Sequence, residues 1–203
     1  MRRLIDIFVA AVTLIFLSPF FLILAIAIRR DSPGPAFYGG WRVGRFGRPF
    51  RMWKFRTMVA NADHIGPSIT SSRDPRITRL GSLLRRTKLD ELPQFWNLLI
   101  GDLTLVGPRP EAPDIVEVYT PEQRKVLDVK PGITGPGQLQ YVTEDSELIP
   151  AGVPADQYYV QHLLGDKLKL DLRYSRTRTA ASDARIVLGT MRLMVRAIFT
   201  KGS

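Results

Sequence analysis

Lys88-Leu-Asp-Glu-Leu-Pro-Gln94, with Gly101-Asp-Leu-Thr-Leu-Val-Gly-Pro-Arg-Pro110 close behind it, decides how this chain is read. Pro93 has no backbone N–H and fits a helix only in its first turn, so a helix is expected over Leu92–Ile100. Asp90 and Glu91 then lie at or just before a helix N-terminus, where free N–H groups and the macrodipole favour negative charge. The same end attracts phosphate. An ionised carboxylate beside a phosphate site can attack phosphorus or hold a metal ion. The plain alternative is an N-cap Asp followed by a favourable first-turn Glu. Gly107-Pro-Arg-Pro110 is a rigid extended turn that holds Arg109 with little entropy left to lose on binding.

On the N-terminal side of this stretch, Arg76–Thr87 reads as a basic helix with Leu80, Leu83 and Leu84 as its apolar stripe. Within Leu92–Ile100, Phe95, Trp96, Leu98 and Leu99 are expected in the core. Asn61–Pro75 is polar and turn-rich, and reads as a loop. Ala36–Phe55 reads as a β-hairpin, with aromatic residues on both arms and the turn supplied by Gly44 and Gly47. Its Arg42, Arg45, Arg48, Arg51 and Lys54, interleaved with aromatics, suit either single-stranded nucleic acid or a solvated edge protected by charge.

On the C-terminal side, Thr120-Pro-Glu-Gln123 is a capping box, opening a helix that runs to about Val129. Lys130-Pro-Gly-Ile-Thr-Gly135 is a tight loop. Asp156–Arg178 reads as a helix with a candidate break at Gly165. Ser182–Phe199 is amphipathic, with Ile186, Val187, Met191, Leu193, Met194, Ile198 and Phe199 against Arg185, Arg192 and Arg196. Such a helix can lie on anionic lipid or pack on the core as an ordinary terminal helix.

Leu4–Ile28 is almost wholly apolar, Asp6 being its only charge. As a helix, Ile7–Ile28 would be roughly 33 Å long, enough to cross the hydrocarbon of a bilayer. Three readings fit. Arg2-Arg3 before the run and Ala25-Ile26-Ala27 within it resemble a signal peptide. A simple spanning helix is the second. The third is a helix that enters the membrane, turns at Ser18-Pro19 and returns to the same face; basic flanks at both ends, Arg2-Arg3 and Arg29-Arg30, are satisfied if both stay on the cytoplasmic side.

With 203 residues and 45% hydrophobic content there is material for one sizeable core. A formal net charge of +10 suits a polyanionic partner: nucleic acid, anionic lipid or a phosphorylated substrate. Cysteine is absent, which excludes disulfides and thiolate metal sites, and the two histidines are too few for a His-based zinc site.

The ordered set of motifs is far more specific than any one of them. A hydrophobic N-terminus precedes Lys54-Phe-Arg-Thr-Met58, Arg79-Leu-Gly-Ser-Leu-Leu-Arg85, Lys88–Asn97, Gly101–Pro110 and Lys130–Gly135. Over nearly its whole length the chain resembles the bacterial sugar transferases, monotopic phosphoglycosyl transferases of the small form. The resemblance implies an α+β fold: a mostly helical catalytic domain with a small β-hairpin over residues 31–203, a re-entrant membrane helix over residues 1–30, and amphipathic interfacial helices. It implies transfer of sugar 1-phosphate from a nucleotide sugar, usually a UDP-sugar, to a polyprenol phosphate, typically undecaprenyl phosphate. The nucleoside monophosphate leaves, and Mg2+ is required. Asp90 corresponds to the nucleophile and Glu91 to its metal-binding neighbour, both being candidate metal ligands. Lys54, Arg85 and Arg109 correspond to phosphate- and substrate-binding positions, and Asp171 and Tyr174, in Leu170-Asp-Leu-Arg-Tyr174, to a further substrate-site motif. Membrane lipid is the expected partner and nucleic acid is not; the expected location is the cytoplasmic face of the bacterial inner membrane. Two departures bear on sugar or nucleotide preference. Gly40 stands where many relatives carry Gln, and Gly135-Pro-Gly-Gln-Leu139 replaces a common Gly-Trp-Ala-Gln.

Overall fold

The structure, a computed structural model, describes residues 2–66, 74–140, 149–150 and 153–200. In chain order its elements are α1 (Arg2–Asp31), β1 (Phe37–Val43), β2 (Pro49–Phe55), α2 (Ala62–Ile65), α3 (Arg79–Thr87), α4 (Gln94–Ile100), β3 (Thr104–Val106), α5 (Pro113–Glu117), α6 (Pro121–Arg124), β4 (Gly132–Thr134), α7 (Pro136–Gln140), α8 (Ala155–Tyr158), α9 (Leu164–Thr177) and α10 (Ala180–Thr200). The fold is mixed and mainly helical, with small sheets and an apolar N-terminal helix long enough to cross a membrane.

β1 and β2 form the expected antiparallel hairpin, from Phe37 opposite Phe55 to Val43 opposite Pro49. Its turn is a short 3₁₀ segment, Arg45–Gly47, in which Phe46 and Gly47 both take positive φ. The period-2 alternation of a strand places Tyr38, Gly40, Arg42, Phe50, Met52 and Lys54 on one face. Phe55, on the other face, stacks with Phe37 and packs with Leu24 and Ile28 of α1 and Leu84 of α3.

A second sheet was not legible in the sequence. β3 and β4, three residues each, run parallel; β3 leads directly into the rigid turn Gly107–Pro110, and β4 lies inside the segment read as a tight loop, Lys130–Gly135. They are too short to show alternation, and they are held by the glycines around them. Gly107 N–H donates to Thr134 O at 2.9 Å, and Gly132 N–H to Pro108 O at 2.9 Å. A Cβ on Gly107 would meet Lys130 O at 2.6 Å, and one on Gly132 would meet Gly107 N at 2.1 Å. The loops thus interlock at a spacing only glycine allows.

Several boundaries and burials differ from the sequence reading. α3 starts at Arg79, where the Thr78 side chain accepts from Gly81 N–H, rather than at Arg76. Leu84 is buried, but Leu83, placed in the apolar stripe, is exposed. Leu98 is fully buried as expected, whereas Trp96, expected in the core, is 49% exposed. The helix from Asp156 is interrupted by a π-turn over Tyr159–Leu163, which ends two residues before Gly165, not at the glycine. The capping box at Thr120 forms in full, and its helix continues as a 3₁₀ turn to Asp128. The loop expected over Asn61–Pro75 contains the single turn α2 and otherwise lies partly outside the described residues.

α1 is one helix of 30 residues with Pro19 inside it. Near its start, Arg3 donates to the carbonyls of Leu98 and Leu99, both at 2.6 Å. Asp6, buried, accepts from Thr104 Oγ1 at 2.9 Å and from Leu105 N–H at 3.0 Å. Near its end, Leu24 and Ile28 enter the cluster with Phe55 and Leu84, and Arg56 donates to Ser32 O at 2.7 Å. Between these anchor points Ile15, Phe16, Leu22 and Ile23 are exposed. In α10, Ile186 is buried beside Val106 and Tyr174, while Leu188, Met191 and Val195 are exposed. Ile198 and Phe199 of its expected apolar set lie outside the described side chains.

Candidate active site

The carboxylate pair sits between two helices rather than inside one. α3 ends at Lys88, whose left-handed backbone (φ 58°, ψ 15°) turns the chain while its N–H donates to Arg85 O. A non-glycine residue held there costs about 1 kcal/mol, which the surrounding packing must offset. Leu89–Glu91 then form a 3₁₀ turn, and Pro93 caps α4. The expectation that Asp90 and Glu91 flank a helix start therefore holds, with the helix proper beginning at Gln94.

Asn97 fixes that turn against the hairpin. Fully buried, it accepts from Trp53 N–H at 2.9 Å and donates to Arg51 O at 2.7 Å, so α4 takes up the free edge of β2. Lys54, next along the strand, reaches the carboxylates. Glu91 Oε1 accepts from Lys54 Nζ and from Arg109 Nη2, each at 2.8 Å. Burial pushes the Glu91 carboxyl up, but the charges of Arg109 and Lys54 outweigh it and hold the group well below the usual carboxylate range. Burial lowers the Lys54 ammonium, against the pull of Glu91 and Asp90. Asp90 is 6% exposed, and burial pushes its carboxyl up to about 6, opposed by Lys54. Its Oδ1 is buried without a hydrogen-bond partner. So is Nε2 of the fully buried Gln94, one turn further on. Buried polar atoms are nearly always paired, so an orphan acceptor among cations marks a place where a ligand, ion or water completes the bonding.

Arg85 lies one turn upstream with its Nε on Thr57 Oγ1 at 2.8 Å, and its charge acts on Asp90. Asp171 and Tyr174 are placed differently from Lys54, Arg85 and Arg109. Asp171 is 4% exposed on α9 and accepts from Gly137 N–H at 3.2 Å and from the Arg109 backbone N–H. Burial pushes its carboxyl up to about 7, against those two N–H groups and Lys167. Tyr174 is buried against Val106 and Ile186, and its hydroxyl bonds to Asp183. Asp171 therefore lies against the backbone of the Arg109 turn, and Tyr174 packs on β3 and α10.

Two residues near the site were missed as site candidates. Arg42 shares the hairpin face of Lys54 and interacts with Glu111 and Arg109; burial lowers its guanidinium. The alternation Tyr38-Gly39-Gly40-Trp41-Arg42 holds that signal, but in the sequence the basic residues of the hairpin suit either nucleic acid or a solvated edge. Gln94 carried none beyond its place in the motif.

The donor set fits a magnesium ion. Mg2+ binds through one or two carboxylates and takes its remaining ligands from water and phosphate oxygens. Asp90 Oδ1 is the unsatisfied acceptor such an ion needs, with Glu91 beside it. Among the described residues no cluster of three or more His, Cys, Asp or Glu could hold a metal without that help.

The sequence model of the bacterial sugar transferase family matches residues 1–197, and the chain belongs to that family. It is 39% identical over 168 residues to a UDP-glucose:undecaprenyl-phosphate glucose-1-phosphate transferase of Caulobacter vibrioides, covering 79% of this chain and 62% of that protein. It is 35% identical over 208 residues to the galactosyl transferase CpsE of Streptococcus agalactiae, covering 96% of this chain but only 42% of that protein. With the exopolysaccharide production protein PSS of Rhizobium leguminosarum it shares 37% identity over 170 residues, 79% of this chain and 85% of the relative. The chain thus spans less than two thirds of some relatives and most of others.

Proposed function

We propose that this protein transfers sugar 1-phosphate from a nucleotide sugar to a polyprenol phosphate at a membrane surface, the first step in building a polysaccharide. The observation that carries this reading is the buried, unpartnered Oδ1 of Asp90 beside a Glu91 already held by Lys54 and Arg109. Glu91 is committed to its cations, whereas Asp90 keeps an acceptor for chemistry. Relatives whose names specify UDP-glucose and undecaprenyl phosphate support the same donor and acceptor classes here.

In this mechanism Lys54, Arg85 and Arg109 hold the donor diphosphate and offset its charge. Magnesium, when bound, supplies Lewis-acid polarisation of the phosphate oxygens. An Asp90 carboxylate oxygen bonds to the sugar-bearing phosphorus. The bond from that phosphorus to the bridging oxygen breaks, and nucleoside monophosphate leaves with the electron pair. A phosphate oxygen of the polyprenol phosphate then attacks the same phosphorus and displaces Asp90 as a free carboxylate. Dividing the transfer in two lets one small site serve two bulky substrates in turn.

The membrane reading follows from α1. We take residues 1–30 as a re-entrant anchor and residues 31–203 as the catalytic domain on the cytoplasmic face. Both ends of α1 bond to the same body, through Arg3 and Asp6 at one end and Ile28 at the other, while its middle is apolar and exposed. A helix crossing a bilayer would carry its two ends to opposite faces. The exposed Leu188, Met191 and Val195 with Arg185 and Arg192 suit α10 to the lipid interface.

The test is to withhold acceptor. With magnesium and UDP-glucose or UDP-N-acetylgalactosamine alone, native protein should release UMP once per site and gain a phosphosugar mass on Asp90. Asp90→Asn should do neither. Release of UDP instead would indicate direct glycosyl transfer, and near-normal turnover by Asp90→Asn would remove Asp90 as nucleophile.

A further inference from the structure

α9 presents two buried ionisable side chains, Lys167 and Asp171, each 4% exposed and one helical turn apart. Burying such groups is costly unless their polar atoms are hydrogen-bonded. Both act on the same short strap, Gly107-Pro-Arg-Pro-Glu111. At its centre, Asp171 accepts the backbone N–H of Arg109 while also accepting Gly137 N–H from the neighbouring loop. At its end, Lys167 Nζ lies 3.0 Å from Tyr159 Oη, which donates in turn to Glu111 Oε1. The strap's start is locked by the glycine contacts with β4. Its outward product is the Arg109 guanidinium, 2.8 Å from Glu91.

We infer that Asp171 and Lys167 are positioning residues: they grip the Gly107–Glu111 strap from behind and so aim Arg109 at Glu91 and the donor phosphate, without touching substrate. This rests on the proposed function and deepens it, since the motif containing Asp171 then serves phosphate binding through Arg109. The backbone at Gly137 approaches the carboxylate closely: a Cβ there would lie 3.2 Å from Asp171 Oδ1.

The experiment is a double-mutant cycle on the full chain in detergent or nanodiscs, reading kcat and KM for UDP-glucose by UMP release. If UDP-glucose gives no turnover, UDP-N-acetylgalactosamine replaces it. Asp171→Asn puts an amide where the two N–H groups need acceptors, and should cost about tenfold in kcat/KM. In an Arg109→Ala background the same change should cost less than about twofold, because the residue it acts through is gone. Tyr159→Phe, which keeps the ring but cuts the link from Lys167 to Glu111, should lose several-fold, again only while Arg109 is present. It decides the question if Asp171→Asn fails to fold. Equal losses with and without Arg109 would overturn the inference and make these groups independent contributors. Such a result beside normal UMP release by native protein leaves the proposed function standing, whereas native protein that releases no UMP with either donor undoes both.

Discussion

At the scale of the residue, the site is a contest between burial and charge. Glu91 stays ionised because two cations share one of its oxygens; Asp90, next to it, keeps an oxygen without a partner. Arg109 and Arg85 should bind charge present in donor and transition state alike. Replacing either with Ala should lower kcat/KM at least tenfold, since one charge-assisted hydrogen bond is worth about 1.5–3 kcal/mol. For Arg85 the control is Thr57→Val, which cuts the bond to Nε but leaves the guanidinium. If it loses as much as Arg85→Ala, Arg85 is structural. Asp171 gives a pH prediction. Its carboxyl is raised from an ordinary 3.8 to about 7 in the folded chain, by burial. The stability it contributes is therefore full below about pH 4 and is lost as pH rises through about 7. Asp171→Asn has no such titration, so the native-minus-variant difference in Tm should fall across that window. A difference that stays level would show that Asp171 is not raised.

At the scale of the element, α3 and α4 are placed by single residues with no slack. α3 lies against the chain leaving β2 so closely that a Cβ on Gly81 would sit 2.0 Å from Thr57 O. That atom is backbone and cannot swing aside. Gly81→Ala should therefore destabilise the protein by about 1–3 kcal/mol despite its better helix propensity, by forcing the helix away. Thermal unfolding measures this, and an unchanged or raised Tm would show that α3 stands further off. The longer helices, the hairpin and the carboxylate turn are legible in the sequence because each announces itself locally, through the Thr120 box, the Pro93 start or the Gly44 and Gly47 turn; the short helices α2, α5 and α7 are not. The parallel pair β3–β4 was not, since its pairing joins Thr104 to Gly132 across two other helices. Trp96 was placed in the core because aromatic residues usually are, yet α4 buries its Asn97–Leu98 side and leaves the indole outside.

At the scale of the molecule, α1 is bonded into the body of the fold near both of its ends. Asp6, buried near its start, accepts two hydrogen bonds from β3, the strand that leads into the Arg109 strap. Asp6→Ala leaves Leu105 N–H and the Thr104 hydroxyl buried without that partner, at about 1–3 kcal/mol. It should lower the Tm and increase proteolysis near residue 104, and no change in either would remove Asp6 as a tether. The absence of cysteine makes topology directly testable. Single cysteines at Arg2 and Arg30 should both react with an impermeant thiol reagent only from the cytoplasmic side. Labelling of position 2 from the opposite side alone would mean that α1 crosses the membrane.

The sequence by itself determined the class of this protein and most of its local structure. Helix caps, turns, an apolar run and a carboxylate pair beside a proline are short-range features, set by chemistry within a few residues of each position. Tertiary structure alone decided which cations meet which carboxylates. Lys54 comes from a strand, Glu91 from a 3₁₀ turn and Arg109 from a strap after β3, and no spacing along the chain encodes their 2.8 Å contacts. It also decided that Asp171 meets the backbone of Arg109 and that Tyr174 packs against Val106 and Ile186. Burial and partner choice depend on how distant segments pack, and here that packing rests on glycine approaches and buried hydrogen bonds whose partners lie 30 or more residues apart.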